Sequence, residues 1–144
     1  GNILEGVARA IHIRYVDGNT LVSDNIIRGH SGRGIEFESV SSRFTVKHNT
    51  IDGGTDGIFA RTGVDTASFL IDGNEVKNNS NLALSVRSFD EVIATSNKLN
   101  GTTSIDMITG NRGILAFNII TGTKNVSTGG IPSFHETGNS WNEV

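Results

Sequence analysis

The chain has 144 residues and a net charge of −3, with 12 lysines and arginines against 15 acids. No run of like charge occurs, which excludes nucleic acid as the main partner, since phosphate binding needs a concentrated basic surface. Apolar stretches of only a few residues exclude a membrane-spanning helix, and the absence of cysteine removes disulfides, thiolate metal sites and cysteine nucleophiles.

Eighteen glycines stand against one proline, beside 15 asparagines and many Ile, Val and Thr residues. Such a chain is poor in helix formers and rich in strand and turn formers, so the expected class is all-β. Read in chain order, it divides at Asn2, Asn25, Asn49, Asn74, Asn97, Asn118 and Asn139, at intervals of 23, 24, 25, 23, 21 and 21 residues. Two positions after each asparagine stands an apolar residue: Leu4, Ile27, Ile51, Val76, Leu99, Ile120 and Trp141. Four positions after it stands Gly6, Gly29, Gly53, Asn78, Gly101 or Gly122, the column failing only at Glu143.

Each repeat then carries two further strand-like pieces. The first offers inward pairs Ile11/Ile13, Ile35/Phe37, Ile58/Ala60, Leu84/Val86, Ile105/Met107 and Val126/Thr128. The second offers Thr20/Val22, Phe44/Val46, Phe69/Ile71, Val92/Ala94, Gly113/Leu115 and Phe134/Glu136. Alternation with period two means strands with one buried face. Three short strands per repeat describe one turn of a parallel β-helix, here about six coils of 21–25 residues. A leucine-rich repeat has a similar period but needs leucines at fixed offsets, and only seven leucines occur. The recurring asparagine is expected to take the left-handed turn between strands and to stack its amide on those above and below.

The pattern Asn-x-[Ile/Leu/Val]-x-Gly, then Gly-Ile-x-x, then apolar-x-apolar-x-x-Asn resembles the right-handed parallel β-helix of the pectate-lyase-like superfamily. That group includes pectate lyases, polygalacturonases, mannuronan epimerases and bacteriophage tailspike depolymerases. The resemblance covers essentially the whole chain and implies a polysaccharide lying across the outer face of one sheet. It also implies an extracellular or virion-surface location. No cofactor is expected, since the acids Asp52, Asp56 and Asp72 are too scattered to point to a calcium site. Thr55-Asp56 matches the end of the polygalacturonase Asn-Thr-Asp, but Ser80-Asn81 stands where the following acid pair belongs. The pectate-lyase and epimerase motifs are missing, which leaves the tailspike type, whose carboxylate positions vary between members.

The sheet of interest begins near Ile11, Ile35, Ile58, Leu84 and Ile105. Its outward columns read His12, Glu36, Phe59, Ser85, Asp106 and, beside them, Arg14, Glu38, Arg61, Arg87, Ile108. Glu36 and Glu38, two apart on one strand, have stems about 6.7 Å apart, which suits the paired carboxylates of glycoside hydrolysis. Asp56, at the corner of the next coil, is the third candidate catalytic acid. His12, Arg14, Arg61 and Arg87 are the candidate substrate-binding groups, with Phe59 exposed for stacking on a sugar ring. Arg14, Glu38 and Arg61 on successive coils equally describe a cross-strand charge ladder.

His30, in Gly29-His30-Ser31-Gly32-Arg33, is read as a solvated loop histidine, with a general base as the alternative, and His135 and Glu136 are expected to interrupt the last coil. No metal cluster is visible in the linear sequence. Residues 1–144 read as a single β-helix domain formed by the last coils of a longer chain. The function expected is binding of an extracellular polysaccharide, with cleavage by a hydrolase or lyase left open; the alternative is a structural or trimerising rod. The column Leu21, Thr45, Leu70, Ile93 is apolar enough for a partner chain in a homotrimer to cover.

Overall fold

The computed structural model describes residues 1–62, 66–126 and 130–142. The first coil holds β1 (Ile3–Glu5), β2 (Arg9–Arg14) and β3 (Thr20–Ser23). The second holds β4 (Ile26–Arg28), β5 (Arg33–Glu38) and β6 (Arg43–Lys47), and the third β7 (Thr50–Asp52), β8 (Asp56–Arg61) and β9 (Ser68–Asp72). In the fourth and fifth coils the three pieces merge into continuous strands that bend through their corners, β10 (Glu75–Thr95) and β11 (Lys98–Ala116). The sixth coil holds β12 (Ile119–Val126) and β13 (Ser133–Thr137), and β14 (Ser140–Asn142) starts the next turn. Every pairing is parallel and joins a strand to its counterpart one coil on, as β2 to β5 to β8 to β10 to β11. The fold is a right-handed parallel β-helix of about six turns.

The core is a narrow stack of the inward columns. Ile27, Ile51, Val76, Leu99 and Ile120 lie one above the other and are sealed from solvent. Phe37, Phe44 and Phe69 form an aromatic knot with centroids 5.2–5.4 Å apart, and the small Ala60 pairs with Phe37 to leave them room. Higher up, Phe89 pairs with Gly110, where a Cβ would lie 2.3 Å from the Phe89 ring. At these two places a small residue makes room for a ring on the neighbouring coil, as close packing requires. Of the pair Val126/Thr128, Val126 is partly buried against the core, and Thr128 lies outside the described residues, as does Glu143.

The asparagine ladder runs the length of the molecule. From Asn2 to Asn118, each gives its backbone N–H and its Nδ2–H to the Oδ1 of the next asparagine, at 2.9–3.2 Å. The remaining Nδ2 proton reaches backbone carbonyls such as those of Val22 and Val46. The ladder asparagines do not themselves take the left-handed turn. That conformation belongs to the preceding residue: Asp24, His48, Gly73, Ser96, Phe117 and Gly138, with φ of 53–62°. The turn is completed one position early, which leaves the asparagine free to aim its amide along the stack.

The final coil also departs from expectation. His135 and Glu136 pair in register with Ile114 and Leu115, so β13 continues the sheet. Glu136 is exposed there and meets Lys124.

Candidate functional site

The outward residues of β2, β5, β8, β10 and β11 are brought together in the predicted register. His12 pairs with Glu36, Glu36 with Phe59, Phe59 with Ser85, and Ser85 with Asp106. Beside them, Arg14 pairs with Glu38, Glu38 with Arg61, and Arg61 with Arg87. Neighbouring members are therefore one strand spacing, about 4.8 Å, apart. Asp56 joins at the start of β8, opposite Arg33.

Beyond His12, which is exposed, the first column is covered. Glu36 retains 2% of its accessible surface and Phe59 7%, and Ser85 and Asp106 are equally covered. The cover consists of long arginine side chains folded back over the sheet. Arg33 donates through Nη1 to Glu36 Oε1 and sends Nε toward Asp56 Oδ2 at 3.4 Å. Its guanidinium also lies 3.7 Å from the Phe59 ring centroid, with that of Arg87 at 5.9 Å. Phe59, expected bare for a sugar ring, is instead capped by cations, a contact that its π face favours.

Each acid has its own set of partners. Glu36 Oε2 is approached by Arg9 Nε at 3.2 Å and His12 Nε2 at 3.9 Å, yet it is buried without a hydrogen bond. Glu38 Oε2 meets His12 Nε2 at 3.2 Å and Arg14 Nε at 3.4 Å. Asp56 Oδ1 accepts from Asn81 Nδ2 at 2.9 Å and the Leu82 N–H at 3.3 Å. Asp106 Oδ2 accepts from Ser85 Oγ and from Arg87 Nε and Nη2, and Oδ1 accepts from Asn125. Arg61 differs: it is exposed, and no ion pair involves it among the described residues. The charge ladder therefore forms between Arg14 and Glu38 and stops before Arg61.

These groups surround a shallow depression of about 140 Å³ lined by Arg9, Arg33, Glu36, Glu38, Phe59 and Arg61, with Phe37 beneath. A larger cavity of about 960 Å³ lies elsewhere, along the corners carrying Asn79, Asn100, Thr102 and Thr123, beside Lys124 and Trp141. It contains none of the predicted site residues.

Sequence reasoning passed over Arg9 and Arg33, which do most of the covering. They pair in register three positions before His12 and Glu36, on the parity of the inward columns, so alternation gives no sign that they fold over the outward face. It also passed over a ligand set built across two coils. His12, Glu36 and Glu38 each offer one ligand atom, and these atoms lie within 4.8 Å of one another. His30, expected in solvent, is buried, with Nε2 3.1 Å from the Asp56 carbonyl oxygen and Nδ1 without a partner. Gly54 makes its space, since a Cβ there would lie 2.2 Å from the ring.

No curated protein and no solved structure matches the chain. The family described as periplasmic copper-binding protein (NosD) matches residues 1–144, and the chain belongs to that family.

Proposed function

We propose that the outward face of β2, β5, β8, β10 and β11 binds an acidic polysaccharide outside the cytoplasm. The observation that carries this reading is Arg61, exposed and, among the described residues, without a carboxylate partner at the rim of the depression. Around it, five arginines (Arg9, Arg14, Arg33, Arg61, Arg87) stand against four carboxylates (Glu36, Glu38, Asp56, Asp106), a balance of +1 on a chain of net −3. A guanidinium offers forked hydrogen bonds that match a uronate carboxylate. Arg14, Arg61 and Arg87 follow the solenoid axis, so a ligand with repeated anionic groups meets them on several coils.

In this reading the buried acids serve binding. Glu36 and Asp56 hold Arg33 flat over Phe59, which turns an aromatic surface into a cationic plate. Burial beneath arginines keeps both acids out of direct reach of a sugar oxygen. The periplasmic description of the family agrees with an extracytoplasmic setting. Calorimetric titration with polygalacturonate and with neutral dextran tests the proposal. Polygalacturonate should bind, dextran should not, and Arg61→Ala should weaken binding about tenfold, the worth of one charged hydrogen-bonding group. Equal affinity for the two polymers, or no effect of Arg61→Ala, would refute it.

A second reading is favoured by the orphaned Glu36 oxygen and by the copper named in the family description. The donors available fit oxidised copper. Cysteine is absent and the single methionine, Met107, is fully buried, so soft sulfur ligands are out of reach. Imidazole and carboxylate, which suit Cu(II), converge at His12, Glu36 and Glu38. Those three residues would hold the ion, which would supply a compact double positive charge to two crowded carboxylates.

A further inference from the structure

Glu36 and Glu38 cannot serve arginines and a metal ion at once. Keeping Arg9 and Arg14 in place beside a divalent ion would gather four positive charges around two carboxylates, with Arg33 already on Glu36. At such distances like charges repel strongly in a partly desolvated site. One set has to yield, and the structure shows which.

Arg33 is fixed. It is shared between Glu36 Oε1 and Asp56 and stacked on Phe59. Arg9 and Arg14 are loose, with side chains 54% and 48% exposed. The Arg9 contact at 3.2 Å lacks hydrogen-bond geometry and leaves Glu36 Oε2 buried and unsatisfied, a costly state for a charged oxygen. Arg14 has somewhere to go, because its guanidinium already lies 4.5 Å from the exposed Tyr15 ring centroid. His12 Nε2 faces both Oε2 atoms from the same side. The oxygens that the loose arginines hold are thus the ones that His12 shares.

We infer that Arg9 and Arg14 are placeholders at a divalent transition-metal site formed by His12, Glu36 and Glu38. They neutralise the carboxylates when the site is empty and swing into solvent when the ion binds. The inference rests on the second reading above and adds what controls it: metal affinity is set by competition with these two arginines. Arg33 stays in place throughout, so the Phe59 plate is unaffected by loading.

The test uses the full chain titrated with Cu(II) alone, followed by calorimetry and by electron paramagnetic resonance. The wild type should take one Cu(II) whose spectrum shows coupling to a single imidazole nitrogen. His12→Ala should lose that signal, whereas His48→Ala and His135→Ala, at exposed histidines, should keep it. Replacing both Arg9 and Arg14 with alanine should tighten binding about tenfold, a few-fold for each weak pair released. Arg14→Lys, which keeps the charge, should stay near the wild-type affinity. If the double variant binds no more tightly than wild type while His12→Ala abolishes binding, the placeholder role is wrong and the metal reading stands. If His12→Ala retains the wild-type signal, or no Cu(II) binds to any variant, the metal reading fails and the inference falls with it. Polygalacturonate binding through Arg61 is measured without metal, so neither outcome touches that proposal.

Discussion

Two largely buried columns run along this solenoid, and they are built on opposite rules. The asparagine ladder repeats one residue seven times, and each Oδ1 from Asn25 to Asn139 accepts two bonds from the asparagine one coil earlier. The outward column of the second strand changes at every coil, from His12 to Glu36, Phe59, Ser85 and Asp106, and leaves Glu36 Oε2 without a hydrogen bond. A column that repeats and closes on itself holds the stack together. A column that varies and stays incomplete has been shaped for something other than stacking. In a fold where every coil offers the same positions, the irregular positions carry the information about ligands.

The largest effect should come from breaking the regular column at its middle. Asn74 donates to Asn97 Oδ1 and to the carbonyls of Val46 and Asp72, and accepts from Asn49 N–H and Nδ2. Asn74→Ala strands several buried groups at once, and each unsatisfied group costs about 1–3 kcal/mol. A loss of roughly 3–5 kcal/mol in a urea melt is expected, since the stranded backbone groups relax in part. Asn2→Ala, at the exposed end of the same ladder, should cost about 1 kcal/mol or less. Equal losses at the two positions would show that burial along the ladder is not what makes it strong.

The irregular column should respond less in stability. Glu36→Gln keeps the shape but removes the charge that Arg9 and Arg33 face. Both arginines reach solvent, so the uncompensated charge is partly rehydrated, and a loss of about 1–3 kcal/mol is expected by the same melt. A loss as large as that of Asn74→Ala would make this column structural and weaken the case for a ligand.

The same contrast explains what could be read beforehand. Repetition makes the inward columns, the ladder and the pairing of His12 with Glu36 and Phe59 legible, because a fixed period converts spacing directly into adjacency. Burial of the outward column is not legible that way. Alternation tells which face a residue is on, but not that Arg9 and Arg33, from strand starts, fold back over it. His30 is hidden for a similar reason: its shelter is the empty space over Gly54, 24 positions on in the next coil. The site of the left-handed turn escapes notice because its residues, Asp24, His48, Gly73, Ser96, Phe117 and Gly138, share no chemistry. They share only a backbone angle.

That angle gives the finest test of the comparison, at a corner that belongs to neither column. The position four after each ladder asparagine is glycine at Gly6, Gly29, Gly53 and Gly122, all with positive φ, and Asn78 takes the same place with φ of 57°. Asparagine tolerates this region because its short polar side chain bonds locally, and Asn78 Nδ2 does donate to Asp52 Oδ1 at 2.7 Å. Asn78→Gly removes one exposed hydrogen bond and relieves a mild backbone cost, two terms of similar size and opposite sign. The melt should therefore move by no more than about 0.5 kcal/mol. Asn78→Val provides the contrast, because a β-branched side chain in the left-handed region costs roughly 1–3 kcal/mol. If valine were tolerated as well as glycine, the corner would have adjusted its angle. Crowding between coils is no substitute explanation at Gly6 and Gly29, where a Cβ would meet nothing within 4 Å, although it holds at Gly101, which lacks a positive φ and where a Cβ would lie 3.0 Å from the Ala83 nitrogen.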